Sequence, residues 1–407
     1  MKPRRRPRPG PPGLPWPREM KLQLALAFGG ITVAAFSTFG FASLAPEIRA
    51  QFGLSTAAVG AVGAMAYVGS LIATVPAGRV TDRMGATRML ALALVLIATG
   101  VSVAAGAPTA LLLLAGVGLA GIGYGAANPP SNVLASASVP RGRRAVVMSI
   151  KQVGVTAGGV LAGLILPSLA LLGSWRTALL VPLVACLATG LIALRLARSP
   201  ERSAVPMPAE RHAGTVSMSG MGVYGFVLAG VQNTIISYVA VYLVDHEHLS
   251  VTAAGIGLAV TMLGGAVGRF GWGVASDRLF DSRLQPLQLA AAGAAVGLAV
   301  LPWTDGAVVY VALALVGLCA IGWNGVYLTM TAESAPTSVG RATGRALFWL
   351  YAGAVAAPPL FGLLVGGPDS WALLWSAMAL AVAAAFAVLT LQQARSPGVP
   401  ITMEEAR

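Results

Sequence analysis

Apolar residues in this chain come in long runs, and short polar breaks separate them. Twelve runs approach the roughly 20 residues that cross a bilayer as a helix. They cover 22–45, 55–77, 88–106, 109–138, 145–172, 176–196, 218–243, 252–275, 286–303, 307–334, 343–366 and 371–393. Neither strict alternation nor a one-sided helical stripe dominates them, so the runs predict helices apolar all round, facing lipid or each other. The first run outlasts the roughly 7–15 apolar residues of a signal-peptide core. It predicts a membrane helix preceded by an Arg- and Pro-rich tail over residues 1–21. The connection 197–217 is the longest internal polar stretch and predicts a linker between two halves, 22–196 and 218–394, with a second tail at 395–407.

One polar break occurs twice. Gly78-Arg79-Val80-Thr81-Asp82-Arg83-Met84-Gly85-Ala86-Thr87-Arg88 follows the second run. Gly273-Val274-Ala275-Ser276-Asp277-Arg278-Leu279-Phe280-Asp281-Ser282-Arg283 follows the eighth, with Gly, Asp, Arg and the last Arg in register. The same offset pairs Ser55 with Ser250, Ala58 with Ala253, Gly60 with Gly255 and Gly69 with Gly264. One unit of about half the chain is therefore used twice in the same direction.

The break resembles the signature loop of the major facilitator superfamily, and Phe280 stands where the second copy lacks its Gly. The resemblance implies an all-α integral membrane protein: twelve transmembrane helices as two parallel six-helix pseudo-repeats, with solute bound near the midplane between them. It implies a gating role for Gly78, Asp82, Arg83, Gly85 and Arg88, and for Gly273, Asp277, Arg278 and Arg283. Asp82 is expected to dock near Gly340–Ala346 at the start of the eleventh helix, and Asp277 near Arg143–Val147 at the start of the fifth. A helix N-terminus carries partial positive charge, so an Asp can latch there. Glu333 is expected to pair with Arg278 or Arg341, and Arg345 stands either at the gate or in the pathway.

Composition agrees with the membrane reading. Only 10% of residues are charged and 56% are hydrophobic, against about a quarter charged in soluble domains. Net charge is +13, but the basic residues fall in alternate breaks, which marks topology rather than nucleic-acid binding. Arg49 and Arg176 lie on the side that also carries Asp245, Glu247, Asp305 and Asp369. Most other arginines lie opposite, so the pattern predicts both termini on the cytoplasmic side of the inner membrane. Cys186 and Cys319 sit inside apolar runs with no metal spacing around them, and no cofactor is implied.

Polar residues inside the runs are the candidates for solute contact, because each is expensive in a membrane. Lys151 lies roughly 10 Å into the fifth run. It reads either as a snorkelling side chain or as a cavity cation, with Gln152 beside it expected to face elsewhere. Asn128, before Pro129-Pro130, and Asn324, after Trp323, occupy equivalent positions in the two halves. The seventh run carries Gln232, Asn233, Ser237, Tyr238 and Tyr242. Tyr238 and Tyr242 share a helix face. Trp323, Tyr327, Trp349 and Tyr351 are aromatic candidates, and Arg269 reads as a second cation or as a partner of Asp277.

No Asp or Glu stands in the middle of a run, which counts against proton-coupled drug export. The fourth run reads Ala115-Gly116-Val117-Gly118-Leu119-Ala120-Gly121, without the Arg that the resemblance implies for drug exporters. Gly154, Gly158, Gly159 and Gly163 read as a close-packing row. His212, His246 and His248 lie in breaks and form no HExxH-type cluster, so a membrane enzyme is not indicated. The expectation is a monomeric secondary carrier for a small organic or inorganic anion, with a proton or other ion as a possible coupling partner. The alternative is multidrug or metabolite efflux by proton antiport.

Overall fold

A computed structural model describes residues 18–136, 144–197, 218–280, 282–334, 339–366 and 370–395. The side chains of residues 18–20, 75, 136, 144–150, 218–219, 277, 332–334, 339–344 and 392–395 are not among those described. The described residues are helical, without a strand, and twelve helices are long and apolar enough to cross a membrane.

The first half holds α1 (Arg18–Ser43), α2 (Ala45–Phe52), α3 (Thr56–Met84), α4 (Ala86–Ala105), α5 (Ala110–Ser136), α6 (Arg144–Leu172), α7 (Trp175–Ala178) and α8 (Leu180–Leu196). The second holds α9 (Met218–Asp245), α10 (Val251–Arg278), α11 (Leu284–Val300), α12 (Val308–Val316), α13 (Asn324–Ser334), α14 (Val339–Leu364) and α15 (Ser370–Arg395). The short α2 and α7 are absent from the hydrophobic pattern because neither is long enough to span.

The repeat is visible in local chemistry. Ser55 caps α3 by accepting from the Ala58 N–H at 3.3 Å, and Ser250 caps α10 by accepting from Ala253 at 3.2 Å. A capping hydroxyl satisfies a helix-end donor that otherwise has no partner.

The signature break differs from the loop that its charge pattern suggests. α3 runs through Gly78 to Met84, and only Gly85 interrupts it before α4. Gly85 has φ +88° and ψ +150°, a conformation essentially reserved for glycine. The second copy has Phe280 there, and it ends α10 at Arg278 and starts α11 only at Leu284. Arg283 Nη1 donates to Ser276 Oγ of α10 at 3.0 Å.

The tenth run is not one continuous helix. α12 gives way to a π-helical turn, Gly317–Ile321, before α13 starts at Asn324. The Trp272 indole N–H of α10 donates to the Leu318 carbonyl of this turn at 2.9 Å. A π-turn departs from the regular i to i+4 ladder, and Trp272 ties this one to α10.

Glycines set the helix spacing. A methyl at Gly158 would collide with the α1 backbone at Thr32 and Phe36. Gly163 of α6 faces the backbone of Gly255 and Ala259 on α10, across the two halves. The predicted glycine row thus packs α6 on α1 with one face and on α10 with the other.

Candidate functional site

Besides the packing of α6 on α10 at Gly163, two groups of polar and close contacts join the halves among the described residues. The first lies at one end of the molecule. Arg49, in α2, pairs with Asp245 at the end of α9, with side chains 30% and 36% exposed. The Tyr238 hydroxyl contacts the Thr56 carbonyl of α3 at 2.7 Å and the Pro358 carbonyl of α14 at 2.9 Å. Gly60 packs on Pro358, Gly63 on Ser237 and Gly362 on Ala57, so α3 is pressed against α9 and α14 here. Glu47 is part-buried beside this junction. One of its oxygens has no partner, and burial raises its carboxyl above the usual range.

At the signature end the picture is the reverse. Asp82, Arg83, Arg88, Arg278 and Arg345 are exposed, and a methyl at Gly78, Gly273 or Gly325 would meet nothing within 4 Å. In this conformation Asp82 makes no hydrogen bond or ion pair among the described residues. The side chains of Asp277, Glu333 and residues 340–344, with Arg143 and Arg341, lie outside the described set, so the expected docking of Asp277 and pairing of Glu333 fall there.

The second group lies between these ends. Lys151 of α6 is 1% exposed. Its Nζ donates to Asn128 Oδ1 of α5 at 3.1 Å and to Gln152 Oε1 at 3.5 Å. Gln152 therefore turns toward Lys151, contrary to the expectation from helix geometry. Adjacent positions diverge by about 100° around a helix, but both side chains are long enough to bend back and meet. Asn128 Nδ2 donates to the Tyr124 carbonyl one turn back at 3.4 Å. α5 continues as helix through Pro129-Pro130.

Arg269 of α10 crosses to the other half and donates from Nη1 to the Gln152 carbonyl at 3.1 Å. The Asp277 side chain lies outside the described set, so a pairing of Arg269 with Asp277 falls there. The Arg269 Nε is buried without a partner. Lys151 and Arg269 are electrostatic neighbours. Tyr67 of α3 and Tyr124 of α5 also lie in the field of Arg269, with Tyr351 of α14 beside them and in reach of Thr74. Five helices from both halves thus supply one cluster of two cations, two amides and three phenols.

No carboxylate belongs to this cluster among the described residues. The described span interiors hold Lys151 and Arg269 and no Asp or Glu. Removing a charge from water costs on the order of several kcal/mol per ion, and neutral hydrogen bonds offset that only in part. The cluster is an arrangement that a bound negative charge would complete, by charge-assisted hydrogen bonds to an Arg fork and a Lys ammonium.

Other sequence candidates sit apart. Asn324 Nδ2 donates to Gln232 Oε1 at 2.8 Å and to the Ile321 carbonyl at 3.2 Å, joining the π-turn to α9. Asn233 donates to the Ala229 carbonyl at 2.8 Å, and its buried Oδ1 has no partner. Tyr242 is fully buried, bonded to Glu247 Oε1 at 2.9 Å and packed on Trp371 and Trp375. Trp323 and Tyr327 are fully buried against Tyr224, and the Tyr327 hydroxyl donates to the Met221 carbonyl at 2.9 Å. In this conformation the Trp323 indole N–H donates to the Ala320 carbonyl of the preceding π-turn at 3.0 Å, and the Tyr327 hydroxyl is committed to α9. Tyr67, Tyr124 and Gln152 were not singled out as solute contacts by sequence. An aromatic in an apolar run carries no mark that separates packing from lining.

The paired halves and the central polar cluster between them define a membrane transport protein. The model of the Major Facilitator Superfamily matches residues 27–358 and 226–406, and the chain belongs to this family. It is 28% identical to an uncharacterized MFS-type transporter of Mycobacterium tuberculosis over 84% of this chain and 80% of that one. It is 27% identical to a gentisate transporter of Corynebacterium glutamicum over 86% and 83%. Among solved structures, a bacterial homolog of the human lysosomal transporter Spinster superposes with TM-score 0.79 at 17% identity, covering 95% of this chain and all of that one. The fucose:proton symporter of Escherichia coli superposes with TM-score 0.62 at 18% identity, covering 92% and 99%. These superpositions carry the fold alone.

Proposed function

We propose that this transporter carries a small anion by alternating access, bound between Lys151 and Arg269. The observation behind this reading is the cluster itself: a buried Lys151 and a part-buried Arg269, neighbouring cations on opposite halves, with no described carboxylate beside them. Asn128 and Gln152 hold the Lys151 ammonium in place. The free Arg269 Nε and the phenols of Tyr67, Tyr124 and Tyr351 offer donors to the solute. The likeness to a gentisate transporter supports the same chemistry, since gentisate is a hydroxylated aromatic carboxylate. The positive-inside pattern supports a cytoplasmic signature end with both termini on that side. The junction at Arg49–Asp245 would then be the closed external gate, and Asp82 would latch only when the opposite end opens. Residues 197–217 would link the two halves as a monomer in the inner membrane. Efflux by proton antiport lacks an acidic proton site within the described spans.

The test is uptake into right-side-out and everted vesicles with labelled gentisate, benzoate, succinate and phosphate, and with neutral solutes. Wild type should carry an anion, and Lys151→Ala should lower that uptake at least about tenfold at equal membrane protein level. The anion reading fails if Lys151→Ala transports the wild-type solute normally.

A further inference from the structure

The cation pair also bears on how transport is coupled. Alternating access passes through a state closed at both ends. In this conformation, with the signature end open, Lys151 is already buried and Arg269 is part-exposed. Closing that end on an empty site would take the remaining exposure from Arg269 as well. What then faces Lys151 is Asn128 Oδ1, Gln152 Oε1 and the like charge of Arg269. What faces Arg269 is the Gln152 carbonyl and the phenols of Tyr67 and Tyr124, with its Nε unbonded. Every described group there is neutral or positive. Arg cannot shed its charge. An enclosed anion changes the sign of the balance, because it supplies the missing counter-charge to groups from both halves and draws the halves together.

We propose that the protein is an obligatory anion exchanger: the loaded carrier reorients in both directions, and the empty carrier reorients slowly. The inference rests on the anion reading above and adds that each inward passage of an anion requires an outward one. It also separates two roles. Attraction of the solute needs the summed charge of the pair, whereas the barrier to empty return comes from whatever charge stays uncompensated. Removing either cation should therefore loosen the coupling even where it weakens binding.

The experiment uses purified full-length protein in liposomes, with labelled gentisate outside. Vesicles are empty or preloaded with unlabelled gentisate, and benzoate, succinate and phosphate are run in parallel as both solute and counter-solute. The expected result is uptake at least about tenfold faster into preloaded vesicles, with an inside-alkaline pH gradient unable to replace the internal anion. Lys151→Gln and, independently, Arg269→Gln should lower the preloaded-to-empty ratio toward one. Thermal-shift titration with the same anions establishes which variants still bind. Equal uptake into empty vesicles, or accumulation driven by the pH gradient, overturns exchange and leaves the anion site standing; Lys151 would then be the group that moves a proton. A ratio unchanged in both variants also overturns it. If no anion of the panel moves or shifts the melting curve while a neutral solute does, the anion reading itself falls, and exchange with it.

Discussion

Lys151 stood out in the sequence because it is a lysine inside an apolar run, and its burial in the structure answers only part of what it does. Its partners come from a helix 23 positions away and from its own neighbour. Sequence marked Asn128, Lys151 and Arg269 separately, each as a polar residue in an expensive place. Nothing in it said that the three converge, because convergence depends on how α5, α6 and α10 rotate about their axes. Gly85 is the opposite case. Its backbone conformation explains directly why the first signature copy needs glycine and why the second, with Phe280, turns differently. Gly85→Ala should lose roughly 1–3 kcal/mol of stability, seen as a lower unfolding midpoint in detergent, while Phe280→Ala should change it little. Glu47 carries a pH dependence. Burial raises its carboxyl, so the folded state holds the proton more tightly than the unfolded chain. Stability is then greatest below the unfolded value and falls as pH rises through the raised one. Glu47→Gln should flatten that part of the stability–pH curve, and a wild-type curve of unchanged slope would contradict the assignment.

At the scale of elements, hydrophobic run length found all twelve spans, since a bilayer imposes one length on every helix that crosses it. The pattern missed the π-turn at Gly317–Ile321, because a change of hydrogen-bond register alters neither hydropathy nor run length. It also read the helical charges of Gly78–Met84 as a loop. Charge ends a membrane span, but a helix can continue beyond the apolar core. The glycine row of α6 was read as close packing, yet only the structure showed that Gly163 serves a contact between the halves. Gly163→Val should push α6 from Gly255 and Ala259 at a cost of about 1–3 kcal/mol. The expected outcome is a lower melting midpoint together with reduced uptake, whereas Gly78→Ala, where space is open, should keep the midpoint in this conformation.

At the scale of the molecule, the halves meet at the Arg49–Asp245 end, along α6 and α10 at Gly163, and across Arg269–Gln152. The ion pair is part-exposed, so its contribution is about 0.2–1 kcal/mol, enough to shift a two-state population up to about fivefold. Spin-label distances across this end should show a larger open fraction in Arg49→Ala, and the exchange Arg49→Asp with Asp245→Arg should restore much of the closed one. No recovery in the double variant would mean the pair is incidental and that the Tyr238 strut and glycine contacts hold the end shut. The duplication, the spans, the alternating charge and the superfamily were determined by sequence alone, because each is written in spacing, hydropathy or a local motif. Which polar groups share a site, and which end of the molecule is closed, were decided only by the tertiary structure. Those depend on helix rotation and on contacts between residues far apart in the chain, where differences in packing leave the hydropathy of each span unchanged.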